Sequence, residues 1–415
     1  MNGKLEGNVY DTLKRRGFVK QCTDEGAVRA RFDEGPVTAY IGFDPTASSL
    51  HVGSLVPIMG LVHLERAGHA PIALVGGGTG LIGDPSGKTE QRQLLSREDL
   101  RANYEAVKKQ LGRFLDFGGR ARAVDNAEWL EPLNYVTFLR DIGRHFSVNK
   151  MLSYEAYRLR MEKGLSFLEF NYQICQAYDF LVLYQRYGCA LQMGGDDQWG
   201  NIVAGTDLVR RVAGAEVHGL TFPLLATASG EKMGKTARGA VWLDSELTTP
   251  YDYFQYWINV DDRDVARFLR LFTLLEEDEI ERLAALQGAE IREAKAALAF
   301  EATRICHGEG AAVEARQGAL AAFSGGDAVD AMPTTELVRS RLASAEGVRA
   351  VDLFVEVGLC ASKGETTKLF KSGAGWAGVR ALTDHMSVIT AEDFTDGQLV
   401  LRAGKKRRHR ITLVD

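Results

Sequence analysis

Glu231–Thr236 reads EKMGKT, two lysines and a threonine hydroxyl around one glycine. Cations and a hydroxyl on such a loop can neutralise phosphates, where positioning and charge stabilisation do most of the chemical work. A solvated surface turn has the same composition, so the loop alone decides nothing. Gly42–Ser54 reads GFDPTASSLHVGS and puts Thr46 and His51 where a strand gives way to a helix. A helix N-terminus favours anions. Tyr172, Gln176 and Asp179 lie at i, i+4 and i+7, on one face of a helix. Their neighbours Phe170, Ile174, Cys175, Phe180 and Leu181 are apolar. A polar stripe in such company is either an exposed face or a pocket wall whose ligand supplies the missing partners.

Two other glycine-rich runs fail on spacing. Gly78–Gly83, GTGLIG, follows an expected strand and is a literal GxGxxG. A dinucleotide fingerprint needs a helix opening at those glycines and an acid about twenty residues on, at a second strand's end. Asp84-Pro85-Ser86-Gly87 breaks any helix at once, and Glu98–Glu105 lies in a charged helical stretch. Gly87-Lys88-Thr89 and Gly234-Lys235-Thr236 resemble the end of a phosphate-binding loop, but its first glycine would fall on Ile82 or Ser229.

The elements that must carry these residues follow from periodicity. Val37–Phe43 is an expected strand, Gly53–Ala67 a helix, and Ile72–Val75 a second buried strand. Strand, helix, strand with short links is a βαβ unit, hence a parallel sheet with its site at the strand carboxyl ends. Val124, Cys189–Met193 and Thr221–Leu225 are further short strands, and Phe167–Tyr187 is a helix. Composition turns to Ala, Glu, Leu and Arg between about Pro250 and Phe323, which reads as all-helical. Ser324–Pro333 looks like a linker, and strands and turns follow from Val348.

At 415 residues, two to three domains are expected. With 45% hydrophobic and 25% charged residues, a disordered or collagen-like chain is excluded. A net charge of -5 excludes a bulk polycation while leaving room for a local basic surface. Cys22, Cys175, Cys189, Cys306 and Cys360 are odd in number and scattered, which fits reduced cytosolic thiols and neither a disulfide framework nor a structural zinc. The N-terminus shows no secretory signal and no apolar run is long enough to span a membrane.

Taken together and in order, GFDPTASSLHVGS and EKMGKT resemble the two signatures of class I aminoacyl-tRNA synthetases. GGGTGLIGDPSG from Gly76, FLRDIGRHFSVN from Phe138, QAYDF from Gln176 and LQMGGDDQWGN from Leu191 make the chain similar to bacterial-type tyrosyl-tRNA synthetases. The resemblance implies an α/β architecture: a Rossmann-like parallel-sheet catalytic domain at 1–247, including the lysine loop 231–236, and a small all-helical domain at 248–325 on the anticodon side of tRNA. A linker at 326–347 and a C-terminal α+β RNA-binding module at 348–415 complete it. It implies tyrosine activation by ATP, with magnesium accompanying the ATP and no tightly bound cofactor, then transfer to tRNA(Tyr). A cytoplasmic homodimer without membrane contact is expected, with His145 and Phe167 in interface segments.

The family's roles carry over residue by residue. Thr46, His51, Lys232, Lys235 and Thr236 would act in catalysis. Tyr40 and Asp179 would bond the substrate phenol, and Asp84, Tyr172 and Gln176 its α-ammonium, with Asp44 nearby. Gln192 and Gln198 would position the substrate. Gly42, His51, Gly53, Ser54, Gly195, Asp197 and Lys235 would face ATP, Gly53 admitting the adenine ring. Asn126, Lys88 and Arg92 are phosphate-side candidates, whereas Trp129 and Trp199 read as core. Ser54 replaces the family's second motif histidine, and a hydroxyl cannot carry imidazolium charge. Gly234 and Thr236 stand where the class has serines, and Asp196 where the family has serine. Ser362–Gly373 (SKGETTKLFKSG) and the basic run Arg402–Arg410 (RAGKKRRHR) resemble an RNA-binding fold shared with a ribosomal protein. Two other readings remain: an RNA-binding protein that has lost catalysis, and tryptophan activation, against which the Tyr40–Asp179 pair speaks.

Overall fold

The computed structural model describes residues 7–86, 95–162, 164–230, 233–236, 239–324, 332–342, 347–395, 397–404 and 407–414. The chain forms two compact units, Met1–Thr248 with Tyr256–Gly308, and Thr249–Gln255 with Glu309–Asp415.

The first unit is built on a six-stranded sheet. Its strands are β1 (Gln21–Cys22), β2 (Thr38–Phe43), β3 (Ala70–Val75), β4 (Arg122–Asp125), β5 (Cys189–Gly195) and β6 (His218–Phe222), in spatial order β1-β6-β5-β2-β3-β4. β2 through β6 pair in parallel; β1 closes one edge antiparallel to β6. The inner strands bury both faces, as TAYIGF and APIALV require. β6 begins and ends three residues earlier than periodicity suggests, because Pro223 cannot donate to the ladder.

The helix Leu55–Arg66 is apolar on nearly every side and packs on the sheet. A Cβ on its Gly60 would stand 2.6 Å from the Phe222 ring, so only glycine lets helix and sheet meet there. Phe167–Tyr187 is held at its start by a capping box between Ser166 and Glu169 and stopped by Gly188 at φ 62°. Four further helical segments lie between Pro250 and His307: Pro250–Ile258, Asp262–Phe272, Glu277–Ala284 and Ile291–His307. Trp257 meets Phe268 edge to face and lies tilted against Phe272 within the first unit, and the Arg16 guanidinium donates to the carbonyls of Arg270, Thr273 and Leu275. That bond set ties the first helix of the chain to the helical segments.

In the second unit, strands Arg380–Leu382, Gly375–Ala377, Gln398–Ala403, Arg407–Val414 and Thr334–Val338 form one sheet in that order. Helices Ala350–Glu356 and Lys363–Lys371 cover it through Phe354 and Phe370. The strand Thr334–Val338 falls just after the linker-like Ser324–Pro333 and inside the 326–347 linker that the resemblance implies; it pairs in parallel with Arg407–Val414.

Candidate active site

β2, β3 and β4 advance toward one edge, and the chain then returns to lay β5 and β6 on the other side of β2. The carboxyl ends of β2 and β5 therefore diverge, and a parallel sheet binds ligands at such a switch point. A cavity of about 500 Å³ opens there. Tyr40, Gly42, Asp44, His51, Gly53, Ser54, Asp84, Tyr172, Gln176, Asp179, Gly195, Asp197 and Gln198 all line it.

Asp179 is 1% exposed on the helix Phe167–Tyr187. The Trp129 indole Nε1 donates to its Oδ1 at 2.7 Å, and Asn126 Nδ2 donates to Oδ2 at 3.0 Å. Burial pushes this carboxyl up to about 8, against the two donors, which favour the ionised form. Tyr40, on β2, is as deeply buried, and its hydroxyl has no hydrogen-bond partner among the described residues. Burial, then the Asp179 charge, raises that phenol well above its ordinary value. A lone buried hydroxyl and a buried carboxylate in one cavity leave bonding capacity that a ligand hydroxyl can fill.

Nearer the mouth, Asp44 accepts from Thr79 Oγ1 and from the Tyr172 hydroxyl, both at 2.8 Å. Asp84 accepts from Gln198 Nε2 at 2.6 Å and from the Ser86 backbone at 2.8 Å. Asn201 Nδ2 donates to Gln176 Oε1 at 3.1 Å and Gln198 Oε1 at 3.0 Å. Asp44, Asp84, Asp179 and Asp197 thus share a wall on which, among the described residues, no lysine or arginine stands. Such a wall attracts an ammonium group.

The glycine run that looks like a nucleotide fingerprint does something else. A Cβ on Gly76 would stand 2.1 Å from Asp44 Oδ1, and one on Gly77 2.3 Å from Asp125 Oδ1. The backbone amide of Gly78 donates to Asn126 Oδ1 at 2.8 Å. The run lets two carboxylates and an amide close on the backbone, and only the 3-10 turn Thr79–Leu81 follows it.

The two signature segments meet. His51 Nδ1 accepts from Gly53 N at 2.9 Å, capping the turn Val52–Ser54. Val52 N donates to Val241 O, and Leu243 N to Leu50 O, each at 2.9 Å. Gly234 has φ +79°, and a Cβ there would lie 3.1 Å from Gly53 N. Met233 lines the cavity beside them. Lys235–Thr236 forms a two-residue strand against Gly239–Ala240. Lys232, like Lys88 and Arg92, lies outside the described residues, and the side chains of Lys235 and Thr236 do too.

Several expected residues sit elsewhere. Thr46 is exposed and does not line the cavity; its amide closes a turn onto Asp44 O. Gln192 is buried under the helix Trp199–Ala213, its Oε1 2.9 Å from where a Gly205 Cβ would stand. Asn126, expected on the phosphate side, is instead a partner of Asp179. Trp129 is buried in the core, as expected, yet it donates to the same carboxylate. Asp196 turns away, accepting from Gln21 Nε2 and Thr221 Oγ1 at 2.6 and 2.9 Å. Thr79 and Asn201 are functional partners that sequence reasoning missed, although Asn201 follows Gln198 by three positions within LQMGGDDQWGN.

Residues 33–324 match the family model described as tRNA synthetases class I (W and Y). A tyrosine–tRNA ligase of Desulfosudis oleivorans is 55% identical over 98% of this chain and 99% of its own length. One from Syntrophus aciditrophicus is 52% identical over 96% and 97%. Among solved structures, a C-terminally truncated mitochondrial tyrosyl-tRNA synthetase of Aspergillus nidulans superposes with a TM-score of 0.67 at 29% identity, covering 76% of this chain and 94% of that one.

Proposed function

We propose a working scheme for this cavity from the fact that the chain belongs to the family of class I tRNA synthetases (W and Y). Its activity is that of a tyrosine–tRNA ligase, with tyrosine, ATP and tRNA as substrates. Magnesium enters with the triphosphate as part of that substrate.

The tyrosine carboxylate, already ionised at neutral pH, attacks the α-phosphorus of ATP. A carboxylate-to-phosphorus bond forms, the bridge to the β-phosphate breaks, and pyrophosphate leaves. No general base is needed, so the residues position and neutralise. Tyr40 and Asp179 take the phenol; Asp44, Asp84, Tyr172 and Gln176 hold the ammonium. His51, Gly53, Ser54, Gly195 and Asp197 face the nucleotide. Lys232, Lys235 and Thr236, on the loop that abuts Gly53, draw off the pyrophosphate charge. Thr46 and Gln192 assist from outside the wall. The terminal ribose hydroxyl of tRNA(Tyr) then attacks the tyrosyl carbonyl, and AMP departs.

The observation that carries this reading is the Asp179 carboxylate, fixed by Trp129 and Asn126 in a cavity with an unpartnered Tyr40 hydroxyl. A buried carboxylate left without its third donor disfavours phenylalanine. Amino-acid-dependent ATP–pyrophosphate exchange with all twenty amino acids tests it. Tyrosine alone should give signal; signal with tryptophan alone refutes the specificity, and silence with all twenty favours an RNA-binding protein without catalysis.

The catalytic, helical, linker and C-terminal roles are assigned to 1–247, 248–325, 326–347 and 348–415. For the last, Arg402 stacks at 4.5 Å on Trp376, a cation and ring fit for RNA. Arg407 and Arg410 spend their guanidiniums on Leu359 O and Thr334 Oγ1, so only part of the basic run is left to tRNA. A homodimer is supported by exposed apolar side chains between Tyr135 and Leu168, Phe167 being 69% and Val136 72% exposed. Work in the cytoplasm follows from a role in translation. No helix of the described residues is long and apolar enough to cross a membrane.

A further inference from the structure

Gln110 is 2% exposed on the helix Arg97–Leu111, whose other buried residues are Leu100, Val107 and Leu111. A primary amide on an apolar helix face is costly to bury unless its donors and its acceptor are used. Here both sides of the amide are engaged. Its Oε1 accepts from Leu50 N at 2.9 Å and from Ser49 Oγ at 3.2 Å. Its Nε2 donates to Ser48 O at 3.2 Å and to Asp244 Oδ2 at 3.4 Å. Ser49 Oγ in turn accepts from Asp244 N at 3.2 Å.

These partners belong to the two signature segments. Ser48, Ser49 and Leu50 lead directly into His51. Asp244 ends the stretch that returns from the lysine loop: Val241 N donates to Gly234 O, Val52 N to Val241 O and Leu243 N to Leu50 O, each at 2.9 Å. The bridge that sets His51 opposite Trp242 is flanked by the last two of these bonds. So short a pairing is marginal by itself. The Gln110 amide crosses it at one end, gripping Leu50 on one segment and Asp244 on the other. Gln110, Ser49 and Asp244 do not line the catalytic cavity.

We propose that Gln110 is a positioning residue for tyrosine activation, which holds the His51 segment and the lysine-loop segment in register so that their groups reach the triphosphate together. The inference rests on the tyrosine–ATP scheme above and adds to it a residue outside every motif of the sequence. Gln110 touches no substrate. Its effect falls on the step in which phosphate charge is stabilised, where a displacement of about 1 Å costs up to about 10²-fold. Tyrosine binding is spared, because Tyr40, Asp44 and Asp179 are carried by β2, the residue that follows it and the helix Phe167–Tyr187.

The test is Gln110→Met in the full-length protein, which keeps the length of the side chain and removes the amide. In ATP–pyrophosphate exchange, kcat per tyrosine-binding site should fall about tenfold or more, while the Kd for tyrosine in equilibrium dialysis stays unchanged. A loss of folded protein alone would lower the number of tyrosine sites and leave kcat per site as it was. Amide hydrogen exchange should quicken at Val52 and Leu243 and hold in β3. Ser49→Ala, a smaller change in the same network, should lower kcat per site in the same direction, and it takes the place of Gln110→Met should that variant not fold. An unaltered protein silent with tyrosine would overturn the ligase reading and the role of Gln110 with it. An active unaltered protein whose variant keeps its kcat per site, or loses tyrosine affinity to the same extent, overturns the role of Gln110 alone.

Discussion

Trp129→Phe removes the indole N–H together with part of a buried ring. A smaller aromatic ring remains in the core under the Arg186 guanidinium, which stands 5.2 Å from the indole centroid. What disappears is the N–H that reaches Asp179 Oδ1 at 2.7 Å. That carboxylate then has Asn126 as its remaining donor of the two. Burial already drives its pKa up to about 8, and losing a donor to the ionised form drives it further. Hydrogen bonds to charged groups contribute about 1.5–3 kcal/mol, and about 1.4 kcal/mol is tenfold. The value of kcat/KM for tyrosine should therefore fall about 10- to 100-fold. The loss should appear in KM for tyrosine, because the phenol is gripped equally before and during the attack on phosphorus. KM for ATP should hold. The pH at which tyrosine activation reaches half its plateau should move to the alkaline side. The assay is ATP–pyrophosphate exchange at varied tyrosine and pH. An unchanged KM for tyrosine, or an equal loss with ATP as the varied substrate, would refute the claim that Trp129 acts through Asp179.

Tyrosine binding itself should release a proton below about pH 8, since a third donor lowers the Asp179 pKa; calorimetry in buffers of different ionisation enthalpy should detect it, and Asp179→Asn should abolish it. Gly76→Ala should leave the fold intact by circular dichroism yet remove most activation, because a Cβ 2.1 Å from Asp44 Oδ1 must displace that carboxylate. Phe167→Asp should shift the protein from dimer to monomer in light scattering; an unchanged mass would place the contact elsewhere. His63 is fully buried with neither ring nitrogen partnered among the described residues, and burial, then Arg16 and Arg66, holds its pKa well below 6.5. The unfolded chain therefore takes up more protons as pH falls below 6.5, and stability drops. His63→Leu should raise stability by about 1 kcal/mol and flatten that acid limb in urea titrations.

The βαβ core was legible because parallel strands buried on both faces are written as apolar runs between sharp breakers. VTAYIGF before Asp44-Pro45 became β2, and PIALV before the glycines became β3. The helix Phe167–Tyr187 was legible to the residue because Ser166 and Gly188 mark its ends chemically. β1 was not, since two residues paired only to a strand 200 positions away carry no local period. At the site, residues that offer groups to the cavity were found by type and spacing. Those that hold them in place were not: Thr79 and Asn201 went unnoticed and Asn126 was expected on the phosphate side, because all three are polar loop and helix residues whose work depends on partners distant in sequence. Thr46 and Gln192 fit the motif strings, yet local backbone geometry turns one to solvent and the other beneath a helix.

Asn126 and Thr79 belong to one connected chain of hydrogen bonds. Asp179 is held by Asn126, Asn126 Nδ2 also reaches Thr79 Oγ1 at 2.9 Å, Thr79 donates to Asp44, and Asp44 receives Tyr172. In the proposed scheme the phenol end and the ammonium end of the substrate are thus fixed by a common set of atoms, which passes through the glycine run after β3. Any residue larger than glycine at positions 76 and 77 would drive a methyl group into Asp44 or Asp125. The polypeptide has to come that close because the amide of Gly78 is what orients Asn126, and Asn126 is what orients Asp179. A change at the ammonium end should therefore be felt at the phenol end. In a double-mutant cycle, Thr79→Val and Trp129→Phe should couple by more than about 0.5 kcal/mol in tyrosine binding, although their side chains bond different carboxylates. Additive losses would mean that the two ends of the cavity are built independently, and that the shared glycine turn is only a turn.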